Sequence, residues 1–260
     1  MIFKGTFKRL NLQILNLLFW AVCLPFLFSC VIKKNNVVDE SSQNVVEQEE
    51  KKEEDAVTLE LLRILKGDPY LWALVDKTHP IGDYEPQDLV VLKSVNYDNT
   101  AGIQLRKIAA AALEEMAVAA RKDGVKLSVS SAYRSRSYQA NLYDRYVKTM
   151  GQEETDRVSA RPGYSQHQLG LIVDFYPVAN SFDKSAEGIW VKKNASKFGW
   201  SLSFPDGYEE LTGYSWESWH YRYVGRELAE FIDKYFDGIQ QNALVFIHEW
   251  EKKRLSKSDI

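Results

Sequence analysis

An α+β fold, with a small, mainly antiparallel sheet flanked by helices, is what the order of apolar patterns along the chain predicts. Short alternating stretches such as Lys126 to Ser130 read as strands, and longer ones such as Ala101 to Lys122 carry apolar residues three and four apart. Strands and helices follow one another without the regular alternation of a parallel sheet, and no glycine-rich phosphate loop occurs. With 260 residues and 45% hydrophobic content, the chain can fill one core and still carry appendages.

The chain opens with Lys4, Lys8 and Arg9, then an apolar stretch from Leu10 to Phe28 that ends at Ser29-Cys30. A charged start, a short apolar segment and a small residue describe a secretory signal rather than a membrane-spanning helix. Leu27-Phe28-Ser29-Cys30 resembles a bacterial lipobox, which makes residues 1–29 a signal peptide and Cys30 the lipidated first residue of the mature chain. The alternatives are an ordinary signal peptide or an uncleaved anchor. Residues 30–57 are mostly Lys, Asn, Glu, Gln and Ser, too poor in large apolar groups to offset the entropy of ordering, and are expected to form a flexible tether. Such a spacer suits a lipid-held protein of the cell envelope, facing the periplasm or the exterior, that works on a polymer away from the membrane surface.

The globular domain is expected over residues 58–260. Leu59, Leu62, Ile64 and Leu65 open a short helix that Gly67-Asp68-Pro69 stops. Leu71 to Val75 reads as a strand, and Tyr84 to Leu89 as an extended loop. The stripe Ile103, Ile108, Ala112, Leu113, Met116 predicts a helix over Ala101 to Lys122, closed by Asp123-Gly124. Leu127 and Val129 point inward from the next strand, which delivers Tyr133-Arg134 at its end. Ser135 can cap a helix over Arg136 to Met150, with Tyr138, Leu142, Tyr146 and Val147 inward and Gln139 towards a cleft. Arg157 to Tyr164 reads as a polar loop. Leu171-Ile172-Val173 is a buried strand, Trp190 to Phe198 a helix, and Trp200 to Phe204 another strand. Helices over Gly225 to Tyr235 and Ala243 to Leu255 complete the chain.

The chemistry concentrates in Ser165 to Asp174 and in Glu217-Ser-Trp-His220. Together they offer two imidazoles and two carboxylates. A hydrolytic zinc ion takes three N/O ligands from protein and leaves its fourth position to water. His167, Asp174 and His220 supply such a set for one Zn2+, and Glu217 supplies a general base. Asp174 ends an apolar strand, where a cation offsets the cost of burying a carboxylate. Cys23 and Cys30 both lie in the N-terminal segment, so a metal in the folded domain depends on His and carboxylate ligands. His79 and His248 fall outside the constellation. Arg134 suits a substrate carboxylate or a developing oxyanion. The aromatic residues around the second motif, among them Tyr208, Tyr214, Trp216, Tyr221 and Tyr223, read as packing that fixes Glu217 and His220, or as a sugar-stacking platform. A net charge of −3 with acidic and basic residues interspersed argues against nucleic acid as a partner.

Ser165-x-His167, Asp174 and Glu217-x-Trp219-His220 resemble the zinc D-alanyl-D-alanine carboxypeptidases of the VanY type, within the LAS group of peptidoglycan peptidases. Ser130-Ser131-Ala132-Tyr133-Arg134-Ser135, Leu211-Thr212-Gly213-Tyr214 and Arg222-Tyr223-Val224-Gly225 resemble the flanking segments of that family, over roughly Leu71 to Leu228. The resemblance implies a Hedgehog/DD-peptidase fold, a peptidoglycan stem peptide as substrate, and contacts to it from Ser131, Gln139 and Ser165. Leu202-Ser203-Phe204-Pro205-Asp206 departs from the family's Arg-Tyr-Pro and leaves fine specificity open. Removal of terminal D-alanine is the leading expectation. An L,D-carboxypeptidase or endopeptidase with the same centre, and a non-catalytic cell-wall binding module, are the alternatives; a retained Glu217 argues against the last.

Overall fold

The computed structural model describes Lys52 and residues 55–258. Cys30, the leader and most of the expected tether lie outside them. Contacts divide the chain into a unit over Met1–Arg63 and a unit over Ile64–Ile260. Helix α1 spans 55–64 and ends just before Gly67, as its stop signal requires. Among the described residues no helix is long and apolar enough to cross a membrane.

In the second unit, strands β1 (Leu89–Val91) and β3 (Gln104–Arg106) form an antiparallel pair, and β2 (Tyr97–Asn99) lies between them in sequence. Helix α2 (Lys107–Lys122) leads to β4 (Leu127–Ser131), α3 (Arg136–Met150) and α4 (Gln152–Val158). Strand β5 (Ile172–Phe175), α5 (Ala186–Asn194), β6 (Trp200–Leu202), α6 (Glu209–Thr212) and β7 (His220–Tyr223) follow, then α7 (Arg226–Phe236) and α8 (Gln240–Ser258). The main sheet has the order β2-β4-β5-β7-β6. Only its β2–β4 pair is parallel. The mainly antiparallel α+β expectation holds.

The sheet has an apolar face and a chemical face. Leu127, Val129, Leu171, Val173, Phe175, Trp200, Tyr221 and Tyr223 belong to the core, together with Leu113, Met116 and Ala117 of α2. Side chains alternate along a strand, so Asp174 of β5 and His220 of β7 project from the opposite face. The register pairs these two residues directly. Between Val129 and Ser131 the β4–β5 pairing skips a residue, which sets Ser131 against Asp174. Such a bulge re-aims the end of a strand, here towards Arg134.

Several local expectations change. Leu71 to Val75 forms no strand: a short 3-10 turn covers Pro69–Leu71, and the carbonyls of Tyr70, Leu71 and Ala73 accept hydrogen bonds from Arg222 rather than from a neighbouring strand. The helix expected from Ala101 starts at Lys107, because Gln104–Arg106 pairs with β1; Ile108 is 43% exposed, and Ala109 takes its place inside. In α3, Ser135 caps as expected by accepting from the Tyr138 N–H. Tyr138 itself points outward, and the inward turn is carried by Gln139 and Tyr143. Arg157 lies in α4 rather than in a loop.

Candidate metal centre and active site

Each ligand candidate is placed by a different piece of local structure. Ser165 begins a 3-10 turn over Gln166–Leu169, its hydroxyl accepting from the His167 N–H at 3.3 Å. The turn ends at Gly170, whose φ of 69° is the left-handed conformation that glycine tolerates at no steric cost. The chain then reverses into β5, which carries Asp174. Glu217 and His220 flank a tight loop in which the His220 N–H donates to the Glu217 carbonyl at 3.3 Å. His220 is the first residue of β7.

These elements converge. One ligand atom from each of His167, Asp174 and His220 lies within 4.8 Å of the others, and all three residues are buried. His167 Nε2 is 3.3 Å from Asp174 Oδ2, and His220 Nδ1 is 3.1 Å from Asp174 Oδ1. His167 Nδ1 donates to the Ala132 carbonyl at 2.6 Å. That bond fixes the ring's tautomer and orientation and leaves the Nε2 lone pair facing the cluster, the usual support for a metal-binding histidine. Asp174 Oδ1 is buried, and apart from the His220 Nδ1 beside it no donor is aimed at it. Two imidazoles and a carboxylate so disposed fit zinc, which accepts N/O ligands in a small tetrahedral site.

The electrostatics follow from burial and pairing. Burial pushes His167 down to about 4, with Arg134 adding to the shift. Burial also lowers His220, but hydrogen bonds to Asp174 and Glu217 outweigh it and raise this imidazole to about 9. Desolvation acts to raise Asp174; His167, His220 and Arg134 overcome it and hold the carboxyl well below its ordinary value.

The remaining candidates divide by position. Glu217 Oε2 lies 3.3 Å from His220 Nδ1, beside the cluster. Arg134 Nη2 donates to Asp174 Oδ2 at 2.7 Å, so the arginine orients a ligand carboxylate as well as facing the pocket. Ser131 does not line the pocket; its hydroxyl accepts from Arg134 Nε at 3.1 Å and steadies the guanidinium. Gln139 and Ser165 do line it. His79 and His248 stand apart, with His79 bonded to Asp76 at 2.9 Å and the two rings 5.2 Å from each other. Sequence reasoning missed the Ala132 carbonyl, because backbone acceptors carry no side-chain signature. It also missed Phe204 as a support: its ring packs 4.7 Å from that of His220.

The family model described as VanY, D-alanyl-D-alanine carboxypeptidase, matches residues 102–226, the stretch that contains Arg134, His167, Asp174, Glu217 and His220. The putative carboxypeptidase YodJ of Bacillus subtilis (strain 168) is 34% identical over 204 residues, covering 72% of this chain and 74% of its own. The chain belongs to the VanY carboxypeptidase family. Two solved structures are also similar to it. The LdcB LD-carboxypeptidase shares 35% identity at a TM-score of 0.59, covering 66% of this chain and 88% of that one. A vancomycin-resistance D,D-pentapeptidase VanY, solved as a mutant in complex with Zn(II), shares 29% identity at a TM-score of 0.57, covering 68% of this chain and 99% of that one. As a VanY-family member the protein is a zinc metallopeptidase by kind, and His167, Asp174 and His220 form a cluster able to hold such a metal.

Proposed function

We propose that this protein is a D-alanyl-D-alanine carboxypeptidase that removes the terminal D-alanine of peptidoglycan stem peptides. The observation that carries this reading is the convergence of His167, Asp174 and His220 with Glu217 in one pocket. His167, Asp174 and His220 would hold a zinc ion, which would supply Lewis-acid polarisation of the scissile carbonyl and lower the pKa of water. Glu217 accepts the proton of the attacking water and passes it to the leaving amine, so one carboxylate serves both halves of the reaction. Arg134, held by Ser131 and Asp174, keeps a fixed positive charge at the pocket for the substrate carboxylate or the developing oxyanion. Gln139 and Ser165 line the space in which the peptide lies.

A second reading is favoured by the likeness to LdcB: an L,D-carboxypeptidase, which takes the D-alanine of a tetrapeptide. Rates on a stem pentapeptide and on the corresponding tetrapeptide separate the two. The first reading predicts faster release from the pentapeptide; preference for the tetrapeptide would replace it with the second. We place the protein in the cell envelope, anchored by lipid on Cys30 through the polar tether. Detergent-phase partition that is lost in Cys30→Ala supports the anchor, and partition unaffected by that change would remove it.

A further inference from the structure

Two segments that line the pocket are joined to one another at a seam within the protein. Val158, Ser159 and Ala160, at the end of α4, line one side; Tyr214, Ser215 and Glu217 line the other. Two kinds of contact join these sides. The Ser215 N–H donates to the Arg157 carbonyl at 3.0 Å. The Arg157 guanidinium then forks onto Glu209 of α6, with Nε–Oε1 at 2.7 Å and Nη2–Oε2 at 2.9 Å, and its Nη1 reaches Glu154 at 3.0 Å. Planar bidentate pairing gives such a contact directional strength that a lone surface ion pair lacks.

The wall behind the seam is itself fastened. Tyr143 of α3 donates to Asp156 of α4 at 2.6 Å, and Gln139 Nε2 donates to Ser159 Oγ and to the Ala160 carbonyl. Ser159 and Tyr214 are 8% and 5% exposed, whereas Met150 and Val178, which also line the pocket, are 42% and 47% exposed. Four buried polar atoms among the lining residues have no partner: Asp174 Oδ1 and His220 Nε2 in the metal cluster, and Tyr214 OH and Gln139 Oε1 outside it. Such atoms are rare in folded proteins and favour a polar ligand group beside them.

We propose that the seam between α4 and α6, fastened by Arg157 and Glu209, makes the pocket a dead end that admits a peptide terminus and excludes a chain continuing past the scissile bond. An endopeptidase needs room on both sides of that bond. Here the two walls meet, and the closed end offers a polar surface suited to the last residue of a chain. Arg157 and Glu209 are thus specificity-determining residues for exo-action, outside the catalytic machinery. The inference rests on the peptidase reading of the site.

The test compares kcat/KM for a peptide ending in free D-Ala-D-Ala with that for the same peptide extended by one glycine. Wild-type protein should favour the free end by at least about a hundredfold, the scale at which a shaped pocket rejects a misfit. Arg157→Glu places a third carboxylate beside Glu154 and Glu209, and Glu209→Arg sets a cation against Arg157, so each drives the walls apart. The preference should fall at least about tenfold in both and return in the Arg157→Glu/Glu209→Arg double variant, with zinc content unchanged throughout. Arg157→Gln removes attraction without adding repulsion, and should shift the preference in the same direction by less even if a reversal fails to fold. A preference unchanged in these variants, or not restored by the double exchange, overturns the seam. So does wild-type protein that cleaves the extended peptide equally well. Wild-type protein that cleaves neither peptide removes the D,D-carboxypeptidase reading, and the inference with it.

Discussion

His220 lies between Asp174 and Glu217, and the two carboxylates raise its imidazole from 6.5 to about 9 in the metal-free protein. The ring therefore carries a proton at neutral pH, and zinc must displace it. Apparent zinc affinity should accordingly climb about tenfold per pH unit between roughly pH 6 and 8, as one proton is released per ion bound. Competition titration with a chromophoric chelator measures this, and a flat profile would contradict the pairing. In the metal-free protein the same group contributes stability that is complete below 6.5 and is lost as pH rises through about 9. His167 behaves in the opposite way, since burial holds it neutral and ready as a ligand. At this scale the sequence was informative about side chains and silent about backbone. The residue types and spacing of His167, Asp174, Glu217 and His220 named the centre, and the structure assembles all four. Ser131, expected at the substrate, lies at the β4 bulge and accepts a hydrogen bond from Arg134.

The element that aims His167 is the 3-10 turn closed at Gly170. A methyl group there would meet Arg106 Cγ at 2.9 Å, Leu89 Cδ2 at 3.1 Å and Pro86 Cγ at 3.2 Å, in a backbone conformation with φ +69°. Arg106 cannot easily yield, being paired with Asp68 and with Asp88, the latter at 2.7 Å, while its N–H donates to the Gly170 carbonyl. Gly170→Ala should therefore cost about 1–3 kcal/mol of stability and weaken zinc binding, read by urea denaturation and metal titration. Unchanged stability would contradict the packing around the turn. Elements with local signals were legible. Ser135 capped its helix, Asp123-Gly124 closed α2, and Leu127 and Val129 turned inward from β4. Elements defined by distant partners were not. Gln104–Arg106 continues a helical stripe in sequence but pairs with β1, and the apolar run from Leu71 has its carbonyls taken by Arg222.

Across the whole molecule, the central sheet divides labour between its faces, with the core on one side and the metal ligands on the other. Arg222 shows how far the folded unit is tied together. It is fully buried in β7, two residues after His220, and burial pushes its guanidinium down to about 9 while it bonds three carbonyls about 150 residues earlier in the chain. Its sequence position gave a family flank and no hint of that reach, because long-range backbone acceptors leave no local pattern. The two motifs more than forty residues apart were legible as one site because β5 and β7 are neighbours that pair Asp174 with His220. The most direct test of the account is mass spectrometry of a stem pentapeptide incubated with zinc-loaded wild-type protein and with zinc-loaded Glu217→Gln. The wild type should remove one terminal alanine and stop, and the variant should keep its zinc and fold while turnover falls at least about a hundredfold, the usual worth of a general base. A pentapeptide left intact by the wild type, or cut equally fast by Glu217→Gln, would contradict the account.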